Sequence, residues 1–395
     1  MPNNPPSSMP NNPPSSDRVL VMVGTRKGAV IFTSDRQRKS WRRSDLLFKS
    51  WNVMHMVLDA RHQRMHAAVA HDVYGATTHY SDDLGQTWTQ VRQPPAFPRP
   101  SKSGRPPGTP AEAADADAVR DQPEKVNKVW NITPGRPQEP NVLYAGVEPA
   151  ALFRSEDGGE SWVVNEGLFD HPHRPQWFPG AGGLALHTIL LDPDQPQRLY
   201  AAISAGGCYR SDDGGQTWSP RNRNVRADFM PNPFPEFGHC VHKMTLHPSR
   251  PHVLFQQNHC GIYRSDNAGD EWVDIGEGRL PSRFGFPIAV HPKDPETIYI
   301  IPEESDEYRL SIEGKLAVWR SQDSGASWQP MTAGLPEMAH LVVLREAMAT
   351  DPLEPAGIYF GASTGQLFYS RDDGDHWELM ADYLPPILSV EAAVV

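Results

Sequence analysis

The stretch Ser211-Asp212-Asp213-Gly214-Gly215-Gln216-Thr217-Trp218 decides how the chain is read, because its pattern, Ser-x-Asp-x-Gly-x-x-Trp, keeps returning. Intact copies run from Ser81 to Trp88, Ser155 to Trp162, Ser321 to Trp328 and Ser370 to Trp377, and a copy with Asn267 at the Asp position runs from Ser265 to Trp272. A worn copy runs from Ser34 to Trp41, with Arg36 and Arg38 at the Asp and Gly positions. These residue types suit a tight turn closed by its own side chains. Ser and Asp oxygens accept from turn amides, Gly supplies a positive φ, and Trp packs back under the turn as a plug.

Between the copies one order recurs. An apolar strand ends in Asp-Pro or His-Pro, a turn comes next, then a strand containing Leu/Ile-Tyr/Phe, a small-residue turn, a strand ending at the box, and a strand after the Trp. The runs HTILLDPDQPQRLYAAISAGGCYRSDDGGQTW and VHKMTLHPSRPHVLFQQNHCGIYRSDNAGDEW show it best. Four short strands per unit predict a propeller blade. Starts at 34, 81, 155, 211, 265, 321 and 370 predict an all-β fold, a single seven-bladed β-propeller of four-stranded antiparallel blades. The run SVEAAVV at 389–395 is β-prone and is expected either to complete the last blade or to pair with the first, since a ring is stable only when its ends are joined.

Boxes in this number resemble the BNR or Asp-box family, which includes sialidases, sortilin-type receptors, reducing-end xyloglucanases and photosystem assembly factors of the Ycf48 type. The resemblance spans nearly the whole chain and implies a fold more strongly than a function. It also implies that the boxes lie on outer turns at one face, while ligands meet loops near the axis at the other. A sialidase resemblance would further bring an Arg-Ile-Pro motif, and none occurs here.

The composition excludes several classes. The 37 Lys and Arg against 48 Asp and Glu leave a formal charge of -11 with no basic run, which argues against nucleic acid as a partner. No apolar stretch approaches the roughly 20 residues of a membrane helix, and no apolar signal core opens the chain, so no membrane partner and a cytoplasmic location are expected. Three cysteines, Cys208, Cys240 and Cys260, do not make a disulfide framework. Residues 1–16, a doubled MPNNPPSS, are expected to be a disordered tail, and the Pro- and Ala-rich segment 93–124 a mobile insertion.

Candidate site residues come from aligning the units. Counting five residues back from Asp59-Ala60, Thr133-Pro134, Asp192-Pro193, His247-Pro248, His291-Pro292 and Asp351-Pro352 gives Met54, Lys128, His187, His242, Phe286 and Glu346. Counting four on from Tyr144, Tyr200, Phe255, Tyr299 and Tyr359 gives Glu148, Ser204, His259, Glu303 and Ser363. Equivalent positions of successive blades surround the axis at one height, so these are expected to form a polar ring at the channel mouth. Two chemistries fit. His187, His242 and His259 are candidate ligands of a divalent metal ion, with Lys128, Lys243, Arg345 and Arg26 as binders of an anionic group. Alternatively, carboxylates among Glu148, Glu303 and Glu346, with His242, would serve as glycosidase acid and base. Ordered water bridging the same polar groups is the unremarkable alternative.

Two functions stay open on the sequence. One is a glycosyl-hydrolase-like protein that binds or hydrolyses a small polar or carbohydrate-like ligand at the channel mouth. The other is a non-enzymatic scaffold docking a protein or peptide across the upper face. The aromatic-rich stretches 171–183 and 228–238 are expected to be upper-face loops, serving as a lid in the first case and a docking surface in the second.

Overall fold

Each unit folds as a small antiparallel sheet, and the order of its strands is the order of the sequence. The computed structural model describes residues 18–98, 125–180 and 182–395. The expected tail at 1–16 and most of the expected insertion at 93–124 lie outside the described residues. Within residues 93–98, Phe97 is buried, stacked on Phe169 at 5.4 Å and tilted against Phe153 at 5.7 Å.

The described strands form five four-stranded sheets and one eight-stranded sheet. The latter is two four-stranded halves joined by a single parallel pair, Glu346 with Ser389. Counting it as two blades gives seven. The inner strands, Asn52–Asp59, Lys128–Pro134, Leu186–Leu191, Val241–Leu246, Gly285–Val290, Val343–Thr350 and Ile387–Val394, touch their neighbours in a closed cycle. The last of these, Ile387–Val394, lies antiparallel to Arg18–Thr25, from Val19 opposite Val394 to Thr25 opposite Ile387. The carboxy-terminal strand therefore becomes the inner strand of the first blade. No described helix is long and apolar enough to cross a membrane.

Packing between blades explains the composition of the second strands. Leu199–Ile203, Leu254–Asn258, Ile298–Pro302 and Ile358–Ala362 are buried along their whole length, and all but Leu254–Asn258, which ends in Gln256, Gln257 and Asn258, read as continuous rather than alternating apolar runs. At the same position each presents a fully buried aromatic ring, Tyr200, Phe255, Tyr299 or Tyr359. Outer strands such as Thr89–Gln90, Val163–Val164 and Ser219–Pro220 have only two residues, which leaves little edge to pair with another chain.

The boxes close as their chemistry requires. In the copy at 211–218, the Ser211 hydroxyl accepts from the Gly215 amide at 2.8 Å and donates to Asp213 at 2.8 Å. Asp213 also accepts from the amide and hydroxyl of Thr217 at 2.9 and 2.6 Å. The Gly215 position has φ of 93°, and the residue before it is also left-handed in every intact copy, Leu84 at 57° and Ser324 at 57° included. Three of the indoles reach beyond their own turn. Trp218 Nε1 donates to Asn165 Oδ1 at 2.9 Å, Trp272 Nε1 to the Arg221 carbonyl at 2.8 Å, and Trp328 Nε1 to the Ile275 carbonyl at 3.0 Å, each in the preceding blade.

The worn copy has become a clamp. Arg38 keeps the left-handed backbone of the Gly it replaces, with φ of 55°, and its Nη1 donates to both Asp351 oxygens at 3.0 Å. Its Nη2 donates to the Pro355 carbonyl at 2.7 Å, and both charged partners are buried. Asp351 further accepts from Tyr359 Oη at 2.7 Å. The first blade is thereby tied to the seventh on the box face.

The plug and the clamp each make a prediction for stability. Trp218→Ala should cost about 3–5 kcal/mol in urea denaturation, as truncation of large buried aromatics does, and leave ligand binding at the opposite face unchanged. Arg38→Ala strands the Asp351 carboxylate in the interior and should cost about 3–5 kcal/mol, with part regained in the double variant Arg38→Ala/Asp351→Asn. A double variant as unstable as the single one would remove the charge argument.

Candidate functional site

The face opposite the boxes carries the links from each second strand to the third and from each blade to the next. A cavity of about 360 Å³ opens there, walled by the two aromatic-rich stretches through Phe178, Phe229 and Phe237 and floored by Phe286, His242 and Arg345. Both stretches thus lie on the upper face.

The inner strands explain why charged and imidazole side chains sit at this height. Each of four of them has a register break near its upper end: Val53/His55, Val129/Asn131, Leu186/Thr188 and Val241/Lys243. The residues extruded are Met54, Trp130, His187 and His242. A bulge of this kind re-aims one side chain out of the sheet. The pairing also corrects one member of the ring. Thr133 faces Tyr144 as Leu190 faces Tyr200, so Thr133-Pro134 precedes the Asp192-Pro193 position by two residues. The third blade therefore contributes Trp130 to the ring, and Lys128 stands outside that column.

Several expected residues do come together. Arg345 is buried, donates to Ser204 Oγ at 2.5 Å, and lies over the Trp130 ring at 5.3 Å. Burial pushes its guanidinium pKa down, partly offset by Cys240, Glu346 and Glu148. Lys128 pairs with Glu148 at 3.1 Å, and Trp130 Nε1 donates to the same carboxylate at 2.8 Å. Lys243 reaches Glu346 at 2.5 Å, from the fifth blade to the seventh. Deeper among the inner strands, His55 and Glu391 are 3.2 Å apart and lie close to Glu346, whose Oε1 has no partner among the described residues. His242 stacks on Phe286 at 4.5 Å and meets His259 edge-on at 5.7 Å.

Others do not join the site. His187 donates through Nε2 to the Val241 carbonyl at 2.9 Å and accepts at Nδ1 from Thr188 Oγ1 at 3.0 Å. Both ring nitrogens are engaged and the side chain is sealed, so His187 does not serve as the metal ligand expected of it. Arg26 sits in the turn between Arg18–Thr25 and Gly28–Asp35, exposed at the rim. Glu303 is buried with neither carboxylate oxygen bonded among the described residues, and it does not line the cavity. Burial raises its pKa to about 8, with Arg309 opposing. Glu148 and Glu346, each salt-bridged to a lysine, do not present a free acid beside a free base. Arg309 and Asp306 escaped the alignment because they lie in the long link of the sixth blade, between Ile298–Pro302 and Val318–Ser321, which has no counterpart among the other described links.

Comparison with known proteins fits this architecture. Residues 209–220 match the family model for the BNR/Asp-box repeat. The crystal structure of an ancestral GH74 enzyme superposes with a TM-score of 0.53 at 17% identity, covering 84% of this chain and 38% of that one. The chain is a β-propeller that carries the BNR/Asp-box repeat. Curated relatives of this propeller include a xyloglucanase of Paenibacillus sp., 24% identical over 48% of this chain and 18% of its own length. Another is a xyloglucanase of Hypocrea jecorina, 24% identical over 61% of this chain and 31% of its own length. The propeller thus spans less than a third of these relatives.

Buried ionisable groups set the pH dependence. Glu303 holds a proton in the folded state up to about pH 8, whereas its ordinary value is 4.5. Between those values the unfolded chain binds fewer protons, so stability falls as pH rises. His66 and His239, lowered by burial to about 4, and His187 and His242, also held by burial well below the ordinary imidazole value, act in the opposite direction. Below 6.5 the unfolded chain takes up protons that the folded one refuses, and stability falls with falling pH. Glu303→Gln should flatten the alkaline limb between pH 4.5 and 8 by up to about 5 kcal/mol and leave the acid limb intact. Melting temperatures across pH for both proteins check this, and parallel curves would contradict it.

Proposed function

We propose that this propeller binds a small carbohydrate-class ligand bearing an acidic group in the cavity over its channel mouth. The observation that carries the reading is Arg345, a buried guanidinium that donates to Ser204 and lines a cavity otherwise rich in phenylalanine. A guanidinium offers five donors in a fixed fork that matches a carboxylate, and burial strengthens that pairing. Arg309 lines the same cavity and adds a second positive charge. Phe178, Phe229 and Phe286 supply flat apolar faces for a ring, and the volume suits a small molecule. Likeness to xyloglucanases supports the carbohydrate class.

The reading is one of binding. Hydrolysis by an acid/base pair has less support, because the pocket-side carboxylates are held in ion pairs and the one carboxyl kept protonated, Glu303, lies elsewhere. Docking of a protein or peptide is the second reading. It is favoured by Phe178, 79% exposed, and Phe229 and Phe234, about half exposed, on the upper loops.

Titration calorimetry with uronic acids and with neutral xyloglucan oligosaccharides separates these readings. The acidic sugars should bind, and Arg345→Gln should weaken them by about 10–100-fold, the worth of one charge-assisted bidentate contact. Equal binding of neutral sugars, or affinity unchanged in Arg345→Gln, would defeat the proposal. Phe178→Ala should weaken binding only modestly, whereas under peptide docking it would be the more damaging change.

A further inference from the structure

Cys240, His242 and His259 each offer a ligand atom within 4.8 Å of the others, beside the cavity. Their hydrogen bonds fix what those atoms are. His242 Nδ1 lies 2.6 Å from the Gly285 carbonyl, which can only accept, so that nitrogen carries the proton and Nε2 keeps its lone pair. His259 Nε2 lies 3.1 Å from Asp306 Oδ2, so it too is the donor, and Nδ1 keeps the lone pair. Each imidazole thus has one nitrogen oriented by an acceptor and the other left over. That is the arrangement in which ligating histidines are held, with a carbonyl or carboxylate fixing tautomer and ring orientation from behind. His187, by contrast, has no nitrogen left over.

The placement of the three is built into the fold. His242 is the residue extruded by the bulge in Val241–Leu246, and Cys240 immediately precedes that strand. His259 lies in the link from Leu254–Asn258 to Gly261–Ser265, and its amide donates to the Cys240 carbonyl at 3.0 Å. Asp306 comes from the long link of the sixth blade.

We infer that Cys240, His242 and His259 form a site for a divalent transition metal of the zinc type, with a fourth coordination position open to the cavity. One thiolate and two imidazoles are a donor set that suits zinc, cobalt or nickel and disfavours calcium and magnesium. In a tetrahedral site with bonds of about 2.0–2.3 Å, neighbouring donors stand about 3.3–3.8 Å apart, so no pair here need draw in by more than about 1.5 Å. Half-buried His259, on a turn, is the member placed to move. On binding, the Cys240 thiol releases its proton to solvent, and the thiolate together with Asp306 offsets the metal's charge beside Arg345 and Arg309. The site goes beyond the proposed ligand and does not require that the ligand be acidic.

Cobalt(II) and zinc(II) alone, added to the reduced full chain, test it. The protein should bind one equivalent, raise its melting temperature, and with cobalt show the near-ultraviolet charge-transfer band of a thiolate ligand. Cys240→Ser should abolish the band and weaken binding by about 10–100-fold or more, and His259→Gln should weaken it comparably. Cys260→Ser, whose sulfur instead accepts from the Asp228 amide, should keep both the band and the affinity. His259→Gln lies at the surface turn and guards against a variant that merely fails to fold. These titrations contain no sugar, so failure of the acidic-ligand reading would leave this result untouched. No stoichiometric binding by the parent, or a band that survives Cys240→Ser and disappears in Cys260→Ser, would overturn the assignment.

Discussion

Closure of the ring is the constraint on which the rest depends. Six blades take their inner strand from the sequence just before the other three, but the first blade borrows Ile387–Val394 from the far end of the chain. That pairing carries the full entropic cost of joining distant segments, and it is reinforced at two heights. On the box face Arg38 grips Asp351, and at the upper level Glu346 and Ser389 pair across the seam. A closed ring exposes no inner edge, which is why the innermost strands can hold such polar groups as His55, Glu346 and Glu391 without inviting another strand.

The upper site exists because regular strands are interrupted where they approach the mouth. A strictly alternating strand would send His187 and His242 between blades among apolar neighbours. The bulge turns them out of the ladder, and the carbonyl groups of Val241 and Gly285 then receive them. The same device has produced opposite results in adjacent blades. His187 was fully absorbed by Thr188 and Val241, whereas His242 retained one nitrogen with no partner among the described residues. Identical position therefore does not mean identical availability.

Much of the fold was legible in the sequence because the box is self-contained. Ser211, Asp213, Gly215, Thr217 and Trp218 satisfy one another within eight residues, so their spacing survives every change around them. The site was less legible. Its columns had to be counted across bulges, and Thr133-Pro134 imitated the Asp-Pro strand ending two residues early, which put Lys128 where Trp130 belongs. Arg309 and Asp306 lie in a link peculiar to one blade, so no internal repeat could align them. Nor does a sequence show which histidine nitrogens are already engaged. Only the hydrogen bonds of His187 and His242 separate the one from the other.

The tryptophan staples have a direction. Trp218 bonds back to Asn165, Trp272 to Arg221 and Trp328 to Ile275, and the Trp377 amide bonds back to the Ala333 carbonyl. In each of these four the partner lies earlier in the chain. On a translating ribosome each of these blades would therefore emerge to find its anchoring partner already synthesised, and the stack could grow from the amino-terminal side without waiting for later blades. The first blade alone is left lacking a strand while the other six are made, with the Leu20, Met22 and Val23 edge unpaired until residues 387–394 arrive. The interval before that arrival is when a nascent propeller of this design is most open to misassembly with a neighbour.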